Sequence, residues 1–317
     1  SGTPAQRPSP PSGPSALPRT EGARKPALIR RTNYSKLRLR FTLNRHQLTV
    51  FSVAFSPDGS ILATASYDKT VKLWNAGPGT LITTLTGHKG PAFSVTFSPD
   101  GNTLATAGFD KTVKLWNART GSLITTLTEH KDLVRSVAFS PNGEFLAAAD
   151  GNTVRVWDIK NDILINALTG HKDPIRSVAF SPDGTSLATA GDDKTVRIWN
   201  TRTRKLTGTL AGHKDSVRSV AFSPDGAVLA TGSYDKTVKL WNAKNGNIIT
   251  TLTGHNGPVS SVAFSPNGVA LATASYDKSA KIWNSRSGKL ITTLTGHKGP
   301  VFSVAFSPDG AVLATAS

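Results

Sequence analysis

Seven histidines recur along the 317-residue chain at nearly constant intervals, and that period constrains the fold more than any other feature. They stand at His46, His88, His130, His171, His213, His255 and His297, separated by 42, 42, 41, 42, 42 and 42 residues, with no other histidine in the chain. The six tryptophans Trp74, Trp116, Trp157, Trp199, Trp241 and Trp283 keep the same interval. So do seven Phe-Ser-Pro turns, beginning at Phe55, Phe97, Phe139, Phe180, Phe222, Phe264 and Phe306. A period near 40 residues means one supersecondary unit copied in series, each copy burying its apolar faces against its neighbours.

Within a unit, the segment from Pro300 to Phe306 alternates in strand fashion and stops at Ser-Pro-Asp-Gly, where proline presets φ and glycine accepts positive φ. The fifth unit continues with Val228 to Ser233, a Tyr-Asp-Lys-Thr turn, Val238 to Trp241, a Lys-Asn-Gly turn and Ile248 to Leu252. Four short strands per unit make one propeller blade. The 28 glycines and 19 prolines fit a chain of turns rather than of long helices.

Gly-His before the first strand, then Ser-Pro-Asp-Gly, Tyr-Asp-Lys-Thr and Lys-Leu-Trp-Asn together resemble the WD40 repeat, whose usual final pair is Trp-Asp. Trp157-Asp158 keeps that pair, and the other five units have Trp-Asn, a departure confined to a turn. The resemblance covers residues 27–317 and implies an all-β fold: a seven-bladed β-propeller of four-stranded antiparallel blades, forming a monomeric ring.

The sequence stops at Ser317, after the second strand of the seventh unit, which leaves that blade two strands short and its edge open. Every histidine is preceded at minus three by Leu and at minus seven by Leu or Ile, and Leu43 and Leu39 hold those places before His46. Ile29 stands where Val71, Val113, Val154, Val196 and Val238 stand. These positions predict a seventh blade built from 27–44 and 299–317, with 27–45 completing it by N-terminal strands. The alternative is a chain that continues through further repeats. Residues 1–26, with seven prolines, are expected to be a disordered Pro/Arg-rich tail.

Such a spacing puts one histidine on each blade, so the seven cannot converge on a metal ion, whose ligands lie within about 2 Å. Cysteine is absent, which excludes disulfides and thiolate sites. No Gly-rich phosphate loop, nucleophile elbow or His-Glu-x-x-His motif occurs. Neither enzyme activity nor a cofactor nor a metal is expected. The resemblance implies instead a buried hydrogen-bonded network, carried in the second unit by His88, Thr106, Asp110 and Trp116. Between Ala147 and Thr153 the third unit is one residue short and has Ala148 where others have Thr, so its network is in doubt and its blade is expected to be the least rigid of the complete ones.

Near-identical copies are most informative where they disagree. Four residues before the turn Phe, at the rim of the channel, the units read Phe51, Phe93, Arg135, Arg176, Arg218, Ser260 and Phe302. Blades seven, one and two thus present an aromatic arc, and blades three, four and five a guanidinium arc. The residue before the turn Asp reads Tyr67, Phe109, Asp192, Tyr234 and Tyr276 where it aligns. In the resemblance these rim positions contact partners. Aromatic side chains and Arg anchor interfaces, and Arg grips phosphate or carboxylate with two parallel bonds.

The reading is a scaffold that binds a protein or peptide, acidic or phosphorylated, on that rim. Having no methionine, the chain reads as a piece of a larger signalling protein, the resemblance admitting a kinase-fused propeller or the ligand sensor of a nucleotide-switched ATPase receptor. Nucleic acid is the alternative partner, since residues 1–45 carry ten basic side chains against Glu21 alone within a net charge of +17. No apolar run approaches the roughly 18 residues that cross a membrane. A cytoplasmic location is expected, or a nuclear one in a eukaryote.

Overall fold

The computed structural model describes residues 34–317, which form 26 strands and one short 3₁₀ turn at Tyr34–Lys36, with no α-helix among them. In the first blade β1 (Val50–Phe55), β2 (Ile61–Ser66), β3 (Val71–Asn75) and β4 (Leu81–Leu85) pair antiparallel in chain order. Five further four-stranded sheets repeat that order, and the seventh unit adds only a hairpin of Ser303–Phe306 with Leu313–Ala316. Among the described residues the all-β propeller therefore has six four-stranded blades, not the seven expected.

Why these residues stack is visible in β2, whose side chains from Leu62 to Ser66 are all buried. A sheet lies on each side of it, so both faces must be apolar or small. Ala63, Ala65, Leu73 and Leu85 of the first blade meet Val95, Leu104 and Trp116 of the second. The core is thus a series of seams between blades, each dependent on its neighbours.

One hydrogen bond repeats around the channel and carries the circuit through all seven units. Val95 N donates to Ser52 Oγ of the preceding unit at 3.3 Å, the sixth and seventh units are joined by Val304 N to Ser261 Oγ at 3.3 Å, and Val53 N returns to Ser303 Oγ at 3.2 Å. The turn tips follow suit: Gly59 has φ +73°, and a Cβ there would lie 3.4 Å from Pro308 of the seventh unit. Closure runs through the inner strands.

The N-terminal segment does not form the outer strand expected at Leu39 and Leu43. No ladder involves residues 37–46, Leu39 is 85% exposed, and Leu43 joins the cluster of Val53, Leu62, Trp74 and Ala316. The expected third strand at 27–32 and the tail at 1–26 lie outside the described residues. A ladder bond spans only adjacent strands, about 4.8 Å apart. The outer position lies two such steps from Leu313–Ala316, with no strand between them among the described residues, so apolar spacing alone could not pair it.

That segment acts as a strap. Tyr34 is buried among Ile282, Val301 and Val304 and meets Phe306 edge-on at 5.7 Å. Phe41 covers Gly79 in the β3–β4 turn, where a Cβ would come within 3.0 Å of the ring. The strap so touches the sixth blade, the seventh hairpin and the first blade. The Tyr34 hydroxyl is buried with no hydrogen-bond partner. Tyr34→Phe is expected to leave stability unchanged or raise it by up to about 1 kcal/mol. Tyr34→Ala should cost about 3 kcal/mol, because it empties a packed aromatic site. Urea midpoints of the two variants check this, and equal losses would show that the hydroxyl is satisfied.

Candidate functional site

Four residues expected to form a network in the second blade do meet. Trp116 Nε1 can only donate, and it donates to Thr106 Oγ at 2.8 Å. The Thr106 hydroxyl proton is then free for His88 Nε2 at 2.8 Å, which leaves the imidazole proton on Nδ1, 3.0 Å from Asp110. Asp110 also accepts from Lys89 N at 2.8 Å and Thr112 Oγ at 2.8 Å. The same chain recurs with His46 on Asp68 at 2.7 Å, His171 on Asp193 at 2.8 Å, His213 on Asp235 at 2.8 Å and His255 on Asp277 at 2.7 Å.

Burial outweighs the carboxylate and pushes His46, His171 and His255 below the ordinary imidazole range. On Asp68 and Asp277 burial pulls upward, but the hydroxyls of Thr70 and Ser279 and the histidine protons together hold both at about 2. A neutral imidazole between a carboxylate and a hydroxyl is a structural tie. Among the described residues no three His, Cys, Asp or Glu side chains gather as a metal site.

Blade three breaks the chain, and its sequence says why. Ala148 pairs with Val137 as Thr106 pairs with Val95, but it has no hydroxyl. Both ring nitrogens of His130, and Trp157 Nε1, are buried without partners. Asp150 stands 3.7 Å from His130 Nδ1 and is held instead by Arg155 Nε and by the amides of Lys131 at 3.0 Å and Asp132 at 2.6 Å. The four strands persist.

The rim is built from bulges. In the first blade Val50 pairs with Ser66 and Ser52 with Ala65, so Phe51 has no partner in the ladder. The same irregularity leaves Phe93, Arg135, Arg176, Arg218 and Ser260 unpaired in the next five blades. A bulge frees one residue from the alternation of its strand and re-aims its side chain. These six, with Phe302, Tyr234 and Tyr276, line a single cavity of about 190 Å³.

On one side the rings form a continuous edge-to-face belt. Centroid distances are 5.4 Å for Phe93 to Phe51, 5.2 Å for Phe51 to Phe302, 5.3 Å for Phe302 to Tyr276 and 5.5 Å for Tyr276 to Tyr234. Ring edges on ring faces fix one another's orientation. Tyr234 donates its hydroxyl to Tyr276 at 2.8 Å, and burial pushes the Tyr276 phenol up to about 12. Tyr67 and Phe109 extend the belt outward, 51% and 55% exposed.

Opposite lie the guanidinium groups, joined to the belt at both ends. Arg218 sits over the Tyr234 ring at 3.7 Å, and Arg135 lies 5.8 Å from the Phe93 centroid. Asp192 grips Arg176 with both oxygens, each 2.8 Å from Nε, while Nη2 and Ser216 Oγ also bind the carboxylate. Arg218 Nη1 is 3.9 Å from the same carboxylate. The Nε groups of Arg135 and Arg218 are buried with no partner. Burial and the repulsion of Arg176 and Arg218 lower Arg135 to about 10.

Every rim residue expected from the sequence thus falls around one channel mouth, and Asp192 proves to be an internal counter-ion there. Ser216 carried no expectation, although Pro91, Pro174, Pro258 and Pro300 at its place in other units mark it as an exception.

Radially repeated four-stranded sheets tied by a Trp-Thr-His-Asp chain define a propeller of tandem repeats. The model of the WD domain, G-beta repeat, matches residues 37–75, 79–117 and 121–158, and that of the Echinoderm microtubule-associated protein second beta-propeller matches 179–317. The chain belongs to the WD40-repeat β-propeller family. Over 42 residues it is 50% identical to Protein Mut11 of Chlamydomonas reinhardtii, 13% of this chain and 11% of that protein. Over 41 residues it is 51% identical to the Notchless protein homolog of Arabidopsis thaliana, 13% of this chain and 9% of that protein. Each match is about one repeat long and spans a small part of those relatives. Propellers of this family are in general non-catalytic interaction modules. Among the described residues no helix is long and apolar enough to cross a membrane.

Proposed function

We propose that this propeller is a docking platform that takes an acidic or phosphorylated protein segment with an apolar neighbour at the mouth of its channel. One observation carries the reading: a preorganised aromatic belt faces the guanidinium groups of Arg135 and Arg218, whose Nε atoms are buried and unpaired. Both guanidinium groups line the cavity, where their terminal N–H groups can grip a ligand oxyanion with parallel bonds. The exposed Tyr67 and Phe109 offer apolar area beside the mouth, and aromatic and Arg anchors of this kind concentrate binding energy.

The test is a peptide array of acidic, phosphorylated and neutral sequences, probed with the wild type and with Arg135→Ala, Arg176→Ala and Arg218→Ala combined. The combined variant is expected to lose binding to the anionic peptides at least tenfold while its circular dichroism still reports a folded propeller. An unchanged binding pattern would remove the rim from the account. Nucleic acid is the second outcome: Lys89, Lys131, Lys172, Lys214 and Lys298 follow their histidines. Affinity for RNA that survives 0.2 M salt, roughly where nonspecific phosphate contacts have weakened strongly, would favour it.

A further inference from the structure

The three arginines of the rim are unequal. Arg176 has its fork filled by Asp192, which also accepts from Ser216 and lies 3.9 Å from Arg218. Arg135 makes no side-chain hydrogen bond, its Nε is buried, and it faces two like charges. Where the first, fifth and sixth blades place Tyr67, Tyr234 and Tyr276, the fourth places Asp192. A carboxylate at that point sets what else the cavity accepts.

We infer that Asp192 is the specificity-determining residue of the channel mouth: it occupies one anion seat from within, so the cavity takes a single oxyanion on an aromatic stem between Arg135 and Arg218. This rests on the docking reading above and sharpens its ligand. Three guanidinium groups and one carboxylate leave the mouth at +2. With Arg176 occupied by Asp192, the other guanidinium groups lining the cavity belong to Arg135 and Arg218, and two such groups hold one carboxylate or one phosphate through their terminal N–H groups. The stem lies against Phe51, Phe93 and Phe302, which fill the other side of a cavity of about 190 Å³. A ligand carrying two adjacent oxyanions meets the Asp192 charge at its second one, and like charges brought together in a partly dry site are costly.

Phenyl phosphate, phenylacetate and inorganic phosphate are the probes, titrated calorimetrically at low salt against the full chain. Wild type should bind phenyl phosphate at least tenfold more tightly than inorganic phosphate, because the ring supplies apolar contact. Comparing phenyl phosphate with phenylacetate shows whether the seat favours phosphate or carboxylate. Asp192→Asn removes the internal charge and leaves only one acceptor oxygen for Arg176, so it should tighten phenyl phosphate binding at least tenfold, about 1.4 kcal/mol. Arg135→Ala should weaken it at least tenfold. Asp192→Tyr, which introduces a side chain that three sister blades accommodate, supplies the same charge removal should the first variant melt early. Wild-type binding with no gain in either Asp192 variant, and a loss in Arg135→Ala, would overturn the role of Asp192 and leave the docking reading intact. No saturable binding by any folded variant would overturn both.

Discussion

Thr106→Val is expected to destabilise the propeller by about 3 kcal/mol, and Ala148→Thr to stabilise it by about 1 kcal/mol, although both exchange a hydroxyl and an apolar group at one place in the repeat. Thr106 Oγ accepts from Trp116 Nε1 and donates to His88 Nε2, each at 2.8 Å, and Thr106 is fully buried. Valine matches its shape and leaves two polar atoms stranded in a buried site, at about 1–3 kcal/mol each. Blade three is the natural counterpart. Its Trp157 Nε1 and His130 ring nitrogens are already stranded, opposite Ala148. A hydroxyl there restores two of the missing bonds, less the strain of adding atoms to a packed strand. Urea midpoints of the two variants measure both effects. Loss in both variants would mean that blade three is packed around its alanine and that the hydrogen-bond account covers only the other blades.

The sequence carried this contrast because the network is local in the repeat frame. His, Thr, Trp and Asp recur at fixed offsets, so one missing residue and one alanine in the third unit were enough to foretell a break. The rim was legible for a related reason: positions the scaffold does not dictate are the ones that vary. That Phe51 and its counterparts are bulged was not legible, since a period-two pattern shows which residues alternate and not where an extra residue enters the ladder. Nor was the pairing of Arg176 with Asp192. It depends on where the turn after the second strand of blade four folds over the inner strand, which no spacing rule states.

Of the expected ring closure, the outer strand at Leu39 and Leu43 is the part that failed. Leu39 and Leu43 repeat the apolar spacing of an outer strand, yet Leu39 is exposed and the segment is a strap that drops Tyr34 and Leu43 singly into neighbouring seams. Strand and strap differ in whether backbone groups find a ladder partner, and sequence periodicity reports side chains. The inner serine circuit needs only the first strand of the seventh unit, which explains how a hairpin can stand in for a full blade on the channel side.

Acid should unfold this protein in two stages, with the first beginning below neutral pH. Burial pushes His171 and His255 below the ordinary imidazole value, and His46 and His297 shift the same way. The unfolded chain takes up protons near pH 6.5, and the folded chain only at lower pH. In between, the unfolded state binds more protons, so stability rises with pH. The contribution of these histidines is complete above about pH 6.5 and is lost as pH falls toward their folded values, adding up to about 1.4 kcal/mol per pH unit for each group. The carboxylates act lower. Asp68 and Asp277, held at about 2, contribute fully above the ordinary carboxylate value of about 3.9 and lose that contribution as pH falls toward 2. Guanidinium midpoints are therefore expected to be level from pH 8 to 7, to fall below about pH 6.5, and to fall again below about pH 4. A midpoint unchanged from pH 7 to 5 would place protonated histidines in the fold. It would also reverse the proton assignment of the first-blade chain, since a charged imidazole donates from both nitrogens and Thr64 could not then give its proton to His46.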